Sequence, residues 1–155
     1  MGITAYLNRR HPAPDDELFA LLNRLGERER LEALAEQLLA GPGLRSWSRV
    51  AATERADAWL IAWGAGSEVA AHDHGGSRGA VRVLRGALTE ASCDLPSGRW
   101  QRRSIRSGQS IEVPTTAVHR VSNLGTAPAL SLHVYSPPLA TMNFVASASR
   151  AEVSA

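Results

Sequence analysis

The sequence feature that most constrains the fold is a change of hydrophobic period at Gly41-Pro42-Gly43. Beyond this point the chain consists of short runs of strand-forming residues, which glycine and proline separate at roughly even spacing. The clearest runs are residues 59–63, 81–84, 110–113 and 130–135. Many short strands with such turns are typical of a sandwich or barrel, so we predict an all-β architecture for this part of the chain.

Ahead of this point the apolar residues recur three and four positions apart between residues 14 and 40, which is the period of a helix packed on one face. Asp15 and Asp16, directly after Pro14, are typical of a helix start. A break near Gly26 divides the stretch into two predicted helices.

The length of 155 residues leaves room for one hydrophobic core. We therefore expect a single domain, in which a helical N-terminal segment over residues 1–43 packs on a β-barrel over residues 44–145. Residues 146–155 are small and polar, and we expect a flexible tail there.

The composition argues against two classes of partner. The apolar fraction of 44% and the charged fraction of 21% are those of an ordinary globular protein. The net charge is only +2, and the 17 basic residues, all Arg, are scattered apart from Arg102, Arg103 and Arg106. Without a concentrated basic patch we expect no nucleic-acid partner, and without about 18 consecutive apolar residues we expect no membrane association. We expect a monomer, with a dimer as the alternative.

Two observations favour the cytoplasm. Cys93 is the only cysteine, so no intrachain disulfide can form. Residues 1–10 lack the apolar run of a signal peptide.

A pair of histidines gives the strongest chemical signal. His72 and His74 are one residue apart, and side chains at positions i and i+2 of a strand point to the same face. Two imidazoles can therefore converge on one metal ion, although the same pattern also occurs at exposed polar strand ends. His11, beside Pro12, is interpreted as a solvated loop residue.

The residues around this pair match two spaced motifs. The matching positions are Gly66, His72, His74, Gly86, Gly108, Pro114, His119 and Asn123. Their spacing resembles the paired motifs of the cupin superfamily, G(x)5HxH(x)3–4E(x)6G and G(x)5PxG(x)2H(x)3N. The resemblance implies a jelly-roll β-barrel with His119 as a third metal ligand.

The chain departs from these motifs at two positions. Gly79 stands where cupins usually carry a ligating Glu, and Thr116 replaces the last Gly of the second motif. The ligands would then be three neutral imidazoles, instead of the two His and one carboxylate usual in non-haem iron oxygenases. Such a site carries one more positive charge, which suits an anionic thiolate as an additional ligand.

A second pattern lies in the last predicted strand. Ser131, His133 and Tyr135 alternate with apolar residues and therefore share one face of the strand. This face is either solvated or turned to the barrel interior, where the three side chains would form a hydrogen-bonded relay.

Together these segments resemble the cysteine dioxygenase family of thiol dioxygenases. The resemblance runs from about residue 47 to residue 138. It is carried by HDH at 72–74, LRGALTE at 84–90, HRVSN at 119–123 and SLHVYSPP at 131–138. It implies oxidation of a thiol, L-cysteine in the first place, to a sulfinic acid with both atoms of O2.

The resemblance also implies roles for single residues. The implied Fe(2+) ligands are His72, His74 and His119. The implied relay is Ser131, His133 and Tyr135, with the Tyr135 hydroxyl beside the thiol and O2. Arg49, in Trp47-Ser48-Arg49, would bind the substrate carboxylate, for which the planar guanidinium is well suited.

Two residues differ from the family pattern. Gly79 replaces the Cys that mammalian members join to the tyrosine in a thioether crosslink, so that crosslink cannot form here. Cys93 lies too far along the chain to replace it and is interpreted as an ordinary strand thiol. Trp47 stands where the family often has Tyr.

Three other functions remain open at this point. The substrate can be another small thiol such as 3-mercaptopropionate, although relatives that prefer it often have Gln at the position of Arg49. The chain can be a non-catalytic metal-binding cupin. Three histidines also suit zinc, which would support hydrolytic chemistry.

Overall fold

A computed structural model describes residues 15–26 and 30–146. The described helices are α1 (Asp15–Gly26) and α2 (Arg30–Leu39). The described strands are β1 (Arg45–Ala52), β2 (Asp57–Trp63), β3 (Glu68–Asp73), β4 (Arg78–Arg85), β5 (Ala87–Asp94), β6 (Arg99–Arg106), β7 (Ser110–Val113), β8 (Ala117–Ser122), β9 (Ala129–Ser136) and β10 (Asn143–Phe144). His11 and residues 147–155 of the predicted tail lie outside the described residues.

The strands form two antiparallel sheets that face each other. The first sheet has the order β1-β2-β9-β4-β7, and the second has the order β10-β3-β8-β5-β6. This is the predicted jelly roll, and the all-β fold class is confirmed. The sheets are not closed into a barrel, however, because no ladder joins the edge strands of one described sheet to those of the other.

The two predicted helices are confirmed, and α1 ends at Gly26, where the break was expected. Their apolar stripes cover the outer face of the first sheet. Leu18 and Leu22 of α1 and Ala35 of α2 are buried there against the even-numbered residues of β2 and β9, among them Leu60 and Leu132. The helices therefore shield one face of the first sheet from water.

The odd-numbered residues of the same strands point the other way, between the sheets. Trp63 of β2 and Ala129 of β9 pack there against Leu88 and Val121 of the second sheet. Because both faces of β9 are covered, all eight of its residues are buried. The Ser131, His133 and Tyr135 face is therefore the inner one and not a solvated one.

Two residues of the cupin-like motifs, Gly86 and Asn123, stabilise connections between strands. Gly86 has a φ of +74°, and a Cβ atom built on it would lie 3.0 Å from the carbonyl oxygen of Pro128, so both conformation and space require glycine. The buried amide of Asn123 donates to the carbonyl oxygens of Trp63, Gly64 and Ala127 at 2.9–3.2 Å. Asn123 thus ties the end of β8 to the turn after β2.

Neither described helix has the length and apolar character needed to cross a lipid bilayer.

Candidate metal centre

Three buried histidines come together on the inner face of the second sheet. His72 and His119 are direct cross-strand partners in β3 and β8, and His74 directly follows β3. One ring nitrogen from each histidine lies within 4.8 Å of the other two. The side chains are 1–4% exposed, so a bound ion would be held inside the protein.

The turn after β3 fixes the position of His74. The Asp73 carboxylate accepts hydrogen bonds from the Gly75 amide and from the side chain of Asn143, both at 2.8 Å. These bonds fold the chain back directly after the His72-Asp73-His74 segment. The HDH motif therefore supplies two candidate ligands and, between them, the residue that anchors the turn.

Hydrogen bonds orient two of the rings with Nε2 toward the centre. His72 Nδ1 lies 2.7 Å from the Ala70 carbonyl oxygen, and His119 Nδ1 lies 2.8 Å from a carboxylate oxygen of Glu90. Both acceptors require the ring hydrogen on Nδ1, which leaves Nε2 with a free lone pair. This is the arrangement in which histidine binds a metal with an outer-sphere partner.

One distance within the cluster fits two ligands of a single divalent ion. Two imidazole nitrogens bound roughly 2.1 Å from an ion lie about 3 Å apart when they bind near a right angle. His74 Nε2 and His119 Nε2 are 3.2 Å apart. These two nitrogens could therefore bind one metal ion without rearrangement of the strands.

The surroundings keep the imidazoles of His72 and His74 neutral. Burial lowers the pKa of His72 to about 4, and the nearby His119 contributes in the same direction. Burial and the same neighbour lower the pKa of His74 to about 2. Both rings are thus unprotonated at neutral pH, as metal binding requires.

Glu90 is a buried carboxylate that the sequence analysis did not assign to the site. It is 1% exposed and lies on β5, where one oxygen accepts from His119 and the other from Arg103 Nε. Burial alone would raise the pKa of this carboxyl, but the bonds to His119 and Arg103 outweigh it and the pKa is lowered. A charged carboxylate therefore lies directly behind one candidate ligand.

The polar row on β9 faces the histidines from the first sheet. Ser131 Oγ lies 2.8 Å from His133 Nε2, and His133 Nδ1 lies 3.2 Å from the Tyr135 hydroxyl. The Tyr135 ring stands edge-on to His74, with 4.8 Å between ring centroids. The predicted relay residues are thus in hydrogen-bond contact and adjoin the candidate metal ligands.

Trp63 extends this row, and sequence reasoning missed it. Its indole nitrogen donates to Ser131 Oγ at 2.8 Å. Burial lowers the pKa of His133 to about 3, and burial also raises the pKa of the Tyr135 hydroxyl. His133 and Tyr135 are therefore both uncharged at neutral pH.

A cavity of about 240 Å³ lies between the row and the histidines. Its walls are mostly apolar and include Trp47, Trp59, Met142 and Phe144. Among the described lining residues Arg45 has the only permanently charged side chain. Its guanidinium carbon lies 5.4 Å from the Trp47 ring and 5.6 Å from the Trp63 ring, and Nη1 donates to the carbonyl oxygen of Glu68.

Arg49, the predicted carboxylate-binding residue, does not line this cavity. It shares a face of β1 with Arg45 and Trp47, but it is exposed and its guanidinium lies over the ring of Trp59 at 5.9 Å. Of these two arginines, Arg45 is therefore the one that lines the cavity.

The candidate metal ligands and the polar row that faces them come from different sheets. The three histidines and Glu90 belong to strands of the second sheet or directly follow one. Arg45, Trp63 and the relay belong to the first.

A comparison with protein families agrees with this geometry. The model of the family "Cysteine dioxygenase type I" matches residues 39–147, which is most of the chain. The chain belongs to the cysteine dioxygenase family. The predicted family, and its place in the cupin superfamily, are thereby confirmed.

Other members of the cysteine dioxygenase family share about a third of their aligned residues with this chain. It is 35% identical over 88 residues to cysteine dioxygenase type 1 of Danio rerio, a match that covers 51% of this chain and 44% of that protein. It is 36% identical over 90 residues to cysteine dioxygenase type 1 of Homo sapiens, covering 53% and 45%. The match thus spans about half the length of these relatives.

Solved structures share the fold at lower identity. An oxalate oxidase superimposes with a TM-score of 0.60 at 17% identity, covering 69% of this chain and 58% of that one. A Klebsiella pneumoniae protein with a double-stranded β-helix domain gives 0.60 at 18% identity, covering 73% and 95%. At these identities the likeness shows the cupin fold of this cysteine dioxygenase family member and nothing about its chemistry.

Proposed function

We propose that this protein is an Fe(2+)-dependent thiol dioxygenase that oxidises L-cysteine to cysteine sulfinic acid with O2. The observation that carries the proposal is the row of Ser131, His133 and Tyr135, which faces a buried three-histidine cluster across one cavity. A metal site with only a structural role would not require such a row.

His72, His74 and His119 would hold the iron. Bound Fe(2+) would bring thiol and O2 together and exchange electrons with them. The three ligands are neutral and bring no negative charge of their own to the ion, which favours binding of the substrate sulfur as a thiolate. The cavity walls around that thiolate are mostly apolar.

The relay would direct the hydrogen of Tyr135 into the cavity. Trp63 can only donate, so Ser131 accepts from it and can use its own hydrogen for His133 Nε2. His133 then carries its hydrogen on Nδ1 and donates to the Tyr135 oxygen. The phenol hydrogen is left free to bond a reacting oxygen or sulfur atom.

Arg45 would bind the substrate carboxylate at the other end of the cavity. Its guanidinium can form two parallel hydrogen bonds with a carboxylate. Contacts with Trp47 and Trp63 hold it in place before the substrate arrives. Arg49 is the alternative and would need to leave the Trp59 ring to reach the cavity.

A second substrate, 3-mercaptopropionate, is favoured by one observation. Among the described residues of the cavity wall the permanent charge is that of Arg45, which complements a carboxylate and not an ammonium group. This thiol has the carboxylate of cysteine without its ammonium group.

Oxygen uptake by the anaerobically purified, Fe(2+)-loaded protein tests the proposal. Uptake with cysteine or 3-mercaptopropionate, together with the sulfinate product in a mass spectrum, is the expected result. Cysteamine, which lacks the carboxylate, should react more slowly. If no small thiol is oxidised and the protein retains zinc in preference to iron, the dioxygenase proposal is wrong and a zinc or binding-module function replaces it.

A further inference from the structure

Glu90 connects a candidate metal ligand to the protein surface. Glu90 of β5 faces Arg103 of β6 and Val121 of β8 in the ladder, and His119 lies two residues from Val121 on the same face. One carboxylate oxygen accepts from His119 Nδ1 at 2.8 Å, and the other accepts from Arg103 Nε. The Glu90 side chain is 1% exposed, whereas that of Arg103 is 47% exposed.

Arg103 is itself held at the edges of both sheets. Its Nη2 donates to the carbonyl oxygen of Glu112 on β7, the edge strand of the first sheet, at 3.3 Å. The side chain of Glu112 points to another arginine, Arg78, at 3.8 Å. Arg103 thus has a fixed position and Glu90 as its carboxylate partner.

We propose that Glu90 is a positioning residue that gives the three-histidine site the negative charge its ligands lack, and that Arg103 limits how much of this charge reaches His119. The inference rests on the proposed metal site. A carboxylate that accepts from Nδ1–H makes the ring a stronger donor at Nε2. An arginine on the other oxygen draws electron density the opposite way, because charge-assisted bonds share the same carboxylate.

The geometry favours a positioning role for Glu90 over a purely structural ion pair with Arg103 at the edge of the sheet. Burying a carboxylate is costly, and a pair of apolar residues would close the gap between β5 and β6 without that cost. The Glu90 carboxylate also divides its two oxygens between Arg103 and a candidate metal ligand. A purely structural ion pair with Arg103 would not need the second bond.

Two variants should act in opposite directions on a bound iron. Glu90→Gln keeps the shape and one acceptor but removes the charge, so we expect Fe(2+) affinity to fall about 10- to 100-fold. The affinity for Fe(3+) should fall more than that for Fe(2+). Each factor of ten between the two losses raises the one-electron potential of the iron by about 59 mV. Arg103→Gln releases the charge of Glu90 toward His119, so the potential should fall. Arg103→Lys restores a cation and should return it toward the wild-type value.

The measurements are Fe(2+) and Zn²⁺ affinity by chelator competition and the Fe(3+)/Fe(2+) potential by anaerobic titration of the full chain. Glu112→Gln is the matched control, because it removes a nearby carboxylate whose side chain does not contact His119; it should change neither affinity nor potential appreciably. If Glu90→Gln does not fold, the two Arg103 variants decide by the sign of the shift. Potentials that move in the same direction in the Glu90 and Arg103 variants, or do not move, overturn the inference. Because neither measurement needs a thiol, failure of the dioxygenase proposal would be seen separately.

Discussion

Gly79 and Tyr135 are cross-strand partners in the first sheet, and a Cβ atom built on Gly79 would lie 3.4 Å from Tyr135 Cε1. The same atom would lie 3.5 Å from His74 Cε1. Gly79 is therefore the position at which a side chain would contact both the proposed catalytic tyrosine and a proposed metal ligand.

This contact predicts the behaviour of Gly79→Cys. The new thiol would lie beside the ring carbon next to the phenol oxygen. With Fe(2+) and O2 as oxidant we expect a thioether to form between the sulfur and Tyr135, with loss of two hydrogen atoms. Mass spectrometry of the intact protein and of its peptides measures the loss. Gly79→Ser, which fills similar space without sulfur, is the control, and an unchanged mass in the Cys variant would contradict the predicted proximity.

Tyr135→Phe should slow turnover without loss of iron. The phenol is the free end of the relay, and the proposed metal ligands are the three histidines, so its removal takes away one hydrogen bond to a reacting atom. Loss of one such donor typically costs about 10²-fold in kcat. Steady-state oxygen uptake and iron content measured on the same preparation test this. Loss of iron in the variant would show that the assigned role is wrong.

Arg45→Gln should raise KM for thiols that carry a carboxylate. A hydrogen bond to a charged group contributes about 1.5–3 kcal/mol, which corresponds to roughly a 10- to 100-fold increase in KM. Cysteamine has no carboxylate and should show no such increase. Arg49→Gln is the matched control, since it removes the same charge from the same face of β1. A larger increase in KM in the Arg49 variant would indicate that Arg49, and not Arg45, binds the substrate carboxylate.

The metal-free protein should lose stability as the pH falls below about 6.5. The pKa of His72 is lowered to about 4 and that of His133 to about 3, so between pH 6.5 and these values the unfolded chain binds protons that the folded chain does not. The stability of the neutral forms is fully present above pH 6.5 and decreases by up to about 1.4 kcal/mol per pH unit for each histidine. Urea unfolding at pH 7.5, 6.0 and 5.0 measures the slope, which His72→Gln should make shallower. A flat profile would contradict the buried, neutral state of these rings.

Much of the site was predictable because its signals are local. His72 and His74 are separated by one residue at the end of a strand, and the spacing to His119 and Asn123 matches a known motif. The Ser131–His133–Tyr135 row follows from the period of a single strand. The orientation of this row was left open because it depends on α1 and α2, which cover the other face of the first sheet.

The residues that were missed depend on contacts between distant strands. Trp63 and Ser131 are hydrogen-bonded but lie 68 positions apart in the sequence, and Glu90 and His119 lie 29 positions apart. No local sequence pattern marks either pair. Arg45 and Arg49 share one face of β1, so the alternation of side chains along the strand does not show which of the two lines the cavity. The choice follows from the position of each along the strand, since Arg45 lies opposite Trp63 and Arg49 opposite Trp59.

The division of the candidate site between two sheets separates the three histidines from Arg45 and the Ser131–His133–Tyr135 row, the polar groups that would orient a substrate. The two halves meet through side chains and share no ladder, so substitutions on β1 and β2 can reshape the cavity while β3 and β8 keep the histidines in register. Val83 and Leu88 pack between the sheets, so the size of these apolar side chains affects the distance between the two halves of the site. Under the proposed function, substitutions in the first sheet alone would change which thiol binds, and the size of these apolar residues would change the distance from Tyr135 to the three histidines.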